Sequence, residues 1–217
     1  MGLFRLDSSI RQEGSVSRAV ADSLEAGWRE VHPGAEVVRR DLGADPLGAS
    51  TWATALGAGQ TPEDQRTAEQ TAALAEVTAS ADQLANADAA VIATSLYNFG
   101  VSQHLKAWID LLILDPRFGP GTQPLAGKSV ALVVARGGGY GEGTPRAGWD
   151  HATPYLVRIL GDVWGADVTV VAAELTLAEV NPAMAELIPL AKESAAAAHE
   201  LATATGKSFG ERVGASA

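Results

Sequence analysis

The 217-residue chain contains no cysteine, which excludes disulfides, thiolate nucleophiles and cysteine-based metal sites. Its four scattered histidines are too few for a histidine-rich metal cluster, so any redox chemistry has to come from a bound cofactor. Positive charge is scarce: 16 Lys and Arg stand against 26 Asp and Glu. The resulting net charge of −10 opposes attraction to nucleic acid or to anionic membranes, and neither is expected as a partner. Long hydrophobic runs are missing too. No window approaches about 18 uninterrupted apolar residues, so no transmembrane helix is expected. The opening residues Met1-Gly2-Leu3-Phe4-Arg5-Leu6-Asp7 lack the basic segment, apolar stretch and small-residue cleavage site of a secretory signal, and a cytoplasmic protein is expected. What remains is a globular composition, 47% hydrophobic and 19% charged, with enough apolar surface for one core.

Short apolar runs at residues 3–6, 35–38, 89–94, 129–135 and 168–173 read as five strands. Between and after them lie helical patterns at residues 17–30, 62–86, 101–114, 148–164 and 182–205. Pro62 and Pro182 suit a first helical turn, and the second and last segments are rich in alanine, the best helix former. Strict alternation of strand and helix fits an α/β fold, a single doubly wound domain with a five-stranded parallel sheet and helices on both faces, for which the order 2-1-3-4-5 is one common solution and the one expected. One domain over residues 1–206 is expected, with a frayed tail over 207–217. The stretch 45–60, rich in Gly, Ala and Thr and carrying Trp52, reads either as a surface excursion or as a segment that packs on something.

Ligands of such sheets bind beyond the carboxyl ends of the strands, so the loops after the apolar runs are the places to look. The first carries Ser8, Ser9, Ser15 and Ser17 with Gly14, Arg11 and Arg18, and enters the first helix. Hydroxyls and the free N–H groups of a helix start form a phosphate cradle, although Ser15 or Ser17 could merely cap the helix. The Gly-Lys-Ser/Thr ending of a nucleotide-triphosphate loop is absent, which argues against an ATPase or GTPase. The loop after the third strand, Ser95-Leu96-Tyr97-Asn98-Phe99-Gly100, places two aromatics, an amide and a glycine where a planar ligand could lie, or where aromatics simply join the core. The loop after the fourth strand, from Arg136 through Gly137, Gly138, Gly139, Tyr140 and Gly141 to Gly143, offers bare backbone to a ligand or forms a flexible turn. No register of its glycines gives the dinucleotide fingerprint G-x-G-x-x-G. Trp28, Trp108, Trp149 and Trp164 fall at helical positions and read as core or interface. Asp150 and His151 read as a helix start facing solvent, and Asp41 and Asp45 with Pro46 as formers of the turn after the second strand.

Taken together, Asp7-Ser8-Ser9-Ile10 with Ser15 and Ser17, Arg40-Asp41-Leu42, Tyr97-Asn98-Phe99 with Ser102 and Leu105-Lys106, Arg136-Gly137-Gly138, and Thr153-Pro154-Tyr155-Leu156 with Leu160-Gly161 resemble the FMN-dependent NADH:azoreductase and quinone reductase family of flavodoxin-like proteins. The resemblance covers essentially the whole chain. It implies one FMN per subunit at a homodimer interface, NADH or NADPH as electron donor, and ping-pong transfer of two electrons to a small aromatic acceptor such as a quinone or azo compound. Position by position it implies that Ser9, Ser15, Val16 and Ser17 hold the FMN phosphate with Ser8 beside them. Leu96, Tyr97, Asn98 and Phe99 would line the isoalloxazine, together with Arg136, Gly137 and Gly138. Phe99 and Tyr140 would wall the substrate slot, and Trp52 would approach the partner's active site. No side chain is expected to be the catalytic group, since the cofactor carries the chemistry. The chain departs from the family pattern at Ser95 and Leu96, where Pro and Met are usual, at Tyr140, where His is usual, and in a shorter segment 115–127. A single-electron carrier of the flavodoxin type and a flavin-free binding module are the rival expectations.

Overall fold

The structure is a computed structural model that describes residues 2–216. Five parallel strands, β1 (Gly2–Asp7), β2 (Glu36–Asp41), β3 (Ala89–Ser95), β4 (Ser129–Ala135) and β5 (Asp167–Ala173), form one sheet in the order β2-β1-β3-β4-β5, the order expected from the sequence. Leu3 pairs with Val37 on one side and Ala89 on the other, which puts β1 inside the sheet. Buried strands of a parallel sheet are covered on both faces, and this is why β3 and β4 read as continuous apolar runs.

The helices are α1 (Val16–Val31), α2 (Thr51–Gly59), α3 (Ala68–Ala85), α4 (Gln103–Leu112), α5 (Thr153–Val157) and α6 (Ile188–Ser216). Alternate residues of each strand point to opposite layers. Phe4 and Leu6 meet Trp108, Leu112, Leu132 and Trp164 on one face, while Leu3 meets Leu24, Trp28, Val133 and Phe209 on the other. Among the described residues no helix is long and apolar enough to cross a membrane.

Residues 207–216, expected to fray, instead continue α6. Phe209 is 1% exposed, His32 Nε2 lies 2.8 Å from the Gly210 carbonyl oxygen, and Lys207 pairs with Glu30 at 2.6 Å. The cause is a glycine contact. A Cβ on Gly206 would sit 2.0 Å from the Leu24 carbonyl oxygen, and one on Gly27 would sit 2.1 Å from that of Thr203, so α1 and α6 touch backbone to backbone. A glycine that ordinarily marks the end of a helix is here a packing surface in its middle.

Other boundaries moved for local reasons. The segment 62–86 breaks into a short 3-10 turn, Glu63–Gln65, and α3, because Thr67 and Gln70 form a reciprocal capping box. The stretch 45–60 contains α2. The helix expected from 148 begins at Thr153, where Asp150 accepts the N–H groups of Ala152 and Thr153 at 2.9 and 2.8 Å, and it continues as a π turn over Arg158–Val163. In the last segment a 3-10 turn, Pro182–Leu187, precedes α6, whose second residue, Pro189, has no N–H to continue the earlier turn.

Candidate functional site

Beyond the carboxyl ends of β1, β3, β4 and β5 lies an open cleft of about 260 Å³. Its first wall is Ser9, Arg11, Ser15 and Val16, from the loop that leads into α1. Ser15 occupies the N-cap position of α1, yet its side chain makes no capping bond; its Oγ instead lies 3.3 Å from the Oγ of Ser17. Both serines are buried, at 7% and 1% exposure, so two hydroxyls and the open amides of a first helical turn converge without a backbone acceptor to occupy them. The capping alternative for Ser15 is thereby answered. Ser8 points the other way, donating to the Ala93 carbonyl at 3.2 Å and lying 2.9 Å from Thr94 Oγ1, and serves as a post beneath the loop.

Arg18 fixes this loop from behind. It grips both oxygens of Asp41 at 2.6 and 2.7 Å and donates to the carbonyls of Ser9 at 2.8 Å and Arg11 at 3.1 Å. Asp41 shapes the turn after β2 as expected, accepting the amides of Gly43 and Ala44 at 3.0 Å each. Burial alone would raise its pKa, but Arg18 and those two amides outweigh burial and hold it below the usual carboxylate range.

The second wall is Ser95, Leu96 and Tyr97. Tyr97 and Gly100 exchange backbone hydrogen bonds of 3.2 and 2.9 Å around a turn whose central residues, Asn98 and Phe99, have φ of +47° and +66°. That combination is the tight turn normally built from Asn and Gly, and a phenylalanine there is strained. The turn aims the two side chains apart. The Tyr97 hydroxyl accepts the Ile10 amide at 3.2 Å and lies 3.4 Å from Ser9 Oγ, which latches this loop to the first. Phe99 leans outward against Tyr140 and Trp149, with ring centres at 6.3 and 5.4 Å, both edge to face. Asn98→Val is expected to cost about 1–2 kcal/mol, because a β-branched residue tolerates positive φ poorly, whereas Asn98→Gly is expected to leave stability equal or raised. Thermal melts of the two variants check this.

The third wall is Ala135 at the end of β4 and Gly137 from the loop after it, with Thr176 and Leu177 from the loop after β5. Leu177 Cδ1 lies 2.8 Å from where a Cβ on Gly137 would stand, so the glycine makes room for it. The two loops are joined by amides of Thr176 and Leu177 donating to the carbonyls of Arg136 and Gly137 at 3.0 and 3.3 Å.

Of the residues singled out from the sequence, Ser9, Ser15, Val16, Leu96, Tyr97 and Gly137 share this cleft. Ser17 backs Ser15, and Gly138 stands next to Gly137. Asn98 and Phe99 are carried outward by the turn. Arg136 does not line the cleft: it pairs with Glu174 at 2.8 Å and Asp150 at 2.9 Å and donates to Thr153 Oγ1 at 3.0 Å, bracing the fourth loop against α5 and the end of β5. Asp150 therefore does not face solvent as expected but anchors Arg136 and the start of α5. Trp149 is not in a helix and is 52% exposed beside Phe99. Arg11 and Ser95 were named in their loops without a contact being assigned to them, and Thr176 and Leu177 were missed. The strand-end rule covers all of them, but the loop after β5 carries no glycine or serine cluster to draw attention.

A family model described as "Flavodoxin-like fold" matches residues 1–198. An FMN-dependent NADH:quinone oxidoreductase of Frankia casuarinae is 40% identical over 199 residues, spanning 90% of this chain and 94% of that protein. One of Streptomyces avermitilis is 39% identical over 215 residues, spanning 98% and 99%. Among solved structures, an azoreductase from Bacillus anthracis superposes with a TM-score of 0.78 at 25% identity, covering 96% of this chain and all of that one. With its sheet order, its strand-end cleft and a family match over nearly its full length, the chain belongs to the flavodoxin-like fold family.

Proposed function

We propose that the protein is an FMN-dependent oxidoreductase that passes two electrons from NADH or NADPH to quinones, azo compounds or related aromatic acceptors. The observation that carries this reading is the pairing, in one cleft, of a phosphate-sized cradle with an apolar slot. Buried Ser15 and Ser17 hydroxyls, the α1 amides with the positive end of its dipole, and the unpaired Arg11 guanidinium suit a phosphate monoester. Leu96, the ring of Tyr97, the bare backbone of Gly137 and Leu177 suit a flat heterocycle. The likeness to quinone oxidoreductases at about 40% identity supports the same assignment.

In this reading Ser9, Ser15, Val16 and Ser17 hold the phosphate, and Leu96, Tyr97, Gly137 and Gly138 position the ring system, with Asn98 and Phe99 at its outer edge. FMN supplies the two-electron redox chemistry when bound. The chain's own residues keep one face of the slot open to a stacked donor or acceptor and keep the phosphate end closed by the Arg18–Asp41 brace and the Tyr97 latch. The overall balance is a hydride from the nicotinamide and a proton from solvent, giving a quinone two electrons and two protons. No side-chain acid is needed at the acceptor. Donor and acceptor use the slot in turn, which makes the kinetics ping-pong. The working unit is a homodimer: α2 presents Trp52 and Leu56, 47% and 42% exposed, as the apolar face on which a second copy packs.

The test is an anaerobic visible spectrum of the FMN-loaded protein before and after NADH, then after a benzoquinone. Bleaching by NADH and recovery with the quinone are expected. A bound flavin that NADH does not bleach would assign the protein to the single-electron carriers instead, and failure to take up FMN would leave a binding module.

A further inference from the structure

Arg146 stands against Gly138, the neighbour of the cleft residue Gly137, with no partner for its charge. Among the described residues, nearly every arginine is ion-paired, or, like Arg66, donates to backbone carbonyls at 3.1–3.2 Å; the exceptions are Arg11, which lines the cleft, and Arg146. Arg146 is exposed, and its guanidinium carbon rests 5.8 Å from the centre of the Phe99 ring, within cation–π range. A Cβ on Gly138 would lie 3.2 Å from its Nη1 and 3.8 Å from the Tyr140 ring, so both side chains stand against the residue that follows Gly137 of the cleft. Trp149 packs edge to face with the same Phe99 ring. The nearby carboxylates of Asp150 and Glu174 are engaged by Arg136.

A cation resting on one aromatic ring, with two more aromatic side chains packed against that ring, is a recognition site for an aryl anion: the rings take the flat apolar body and the guanidinium takes a sulfonate or carboxylate. The surrounding protein, at a net charge of −10, repels such a ligand at a distance, so a local cation changes its binding more than that of a neutral ring. We propose that Arg146, held on Phe99 beside Tyr140 and Trp149, is the specificity-determining residue for aromatic acceptors that carry an anionic group. This rests on the reductase reading above.

The experiment compares kcat/KM of the FMN-loaded enzyme for naphthoquinone and for naphthoquinone sulfonate in wild type, Arg146→Gln and Arg146→Lys, with the KM for NADH measured in each. Because the intrinsic reactivity of each quinone cancels between enzymes, the sulfonate-to-neutral ratio reports the protein alone. In Arg146→Gln the ratio is expected to fall about five- to tenfold through the KM of the sulfonate, and Arg146→Lys is expected to retain most of it. A ratio equal to that of wild type, with naphthoquinone still turned over, would overturn the assignment. A change confined to the KM for NADH would also overturn it and move Arg146 to the donor. No turnover of naphthoquinone by the wild type would sink the reductase reading and the proposal with it.

Discussion

Arg5→Met is expected to destabilise the protein by about 3–5 kcal/mol, which for a chain of this size is a fall in Tm of roughly 6–20 °C. Arg5 lies in β1 at 3% exposure and holds Asp7 at 2.8 Å, Asp22 at 2.5 Å and Glu25 at 3.3 Å. Methionine fills much of the same volume, so the loss is one of charge. It leaves the carboxylate of Asp7, itself 5% exposed, without its principal partner, and breaking a buried pair costs far more than the pair contributes in its intact form. Glu25 keeps Arg29 and Arg39, at 2.9 and 2.5 Å, and suffers less. The sign of the pH dependence follows from Asp7. Burial already raises its pKa in the native protein against the pull of Arg5 and Arg18, so the folded state favours its protonated form. Without Arg5 that preference strengthens, and the penalty is absent when Asp7 is protonated and grows as pH rises through its folded pKa. The gap in Tm between wild type and variant is therefore expected to be widest near neutral pH and to narrow as pH falls towards about 4. A gap that is small at neutral pH, or constant across the range, would show that Arg5 carries no structural charge network.

The second large effect concerns ligand binding. Replacing Ser15 and Ser17 together by Ala is expected to weaken FMN by about 1–3 kcal/mol, or roughly five- to 150-fold in Kd, since each hydroxyl offers a charge-assisted bond to phosphate. The fold is expected to survive. Neither hydroxyl caps α1, and apart from Ser15 Oγ at 3.3 Å the side chain of Ser17 has no hydrogen-bond partner within the protein. Fluorescence quenching of FMN on titration reads the loss, and a melting curve separates it from unfolding. An unchanged Kd would remove the phosphate from this end of the cleft.

How much of this was legible in the sequence depended on how local the cause was. The five parallel strands follow from the alternation of apolar runs with helical segments, because parallel strands buried on both faces have a pattern that survives in a single window, whereas their order 2-1-3-4-5 is one of several that such alternation allows. The serines before α1 were legible for the same reason: a cradle at a helix start is built from contiguous residues. The helix α2 was not, since Thr-Trp-Ala-Thr-Ala-Leu-Gly-Ala-Gly has two glycines and no polar face, and it owes its form to packing of Ala55 against Ala73 and Val77 of α3. The continuation of α6 past Gly206 depends on an approach of two backbones distant in sequence. Arg136 beside two glycines reads like a ligand contact, and only the fold brings Asp150 and Glu174 to it. The outward swing of Phe99 is likewise hidden, because it comes from positive φ at two non-glycine residues.

The most direct test of the central claim, that this cleft binds a flavin by its phosphate at the start of α1, is a pair of titrations of the purified protein with FMN and with riboflavin, which differ only in that phosphate. FMN is expected to bind at least about 100-fold more tightly, the worth of two charge-assisted bonds together with the helix terminus. Equal affinity for the two, or binding of neither, would contradict it.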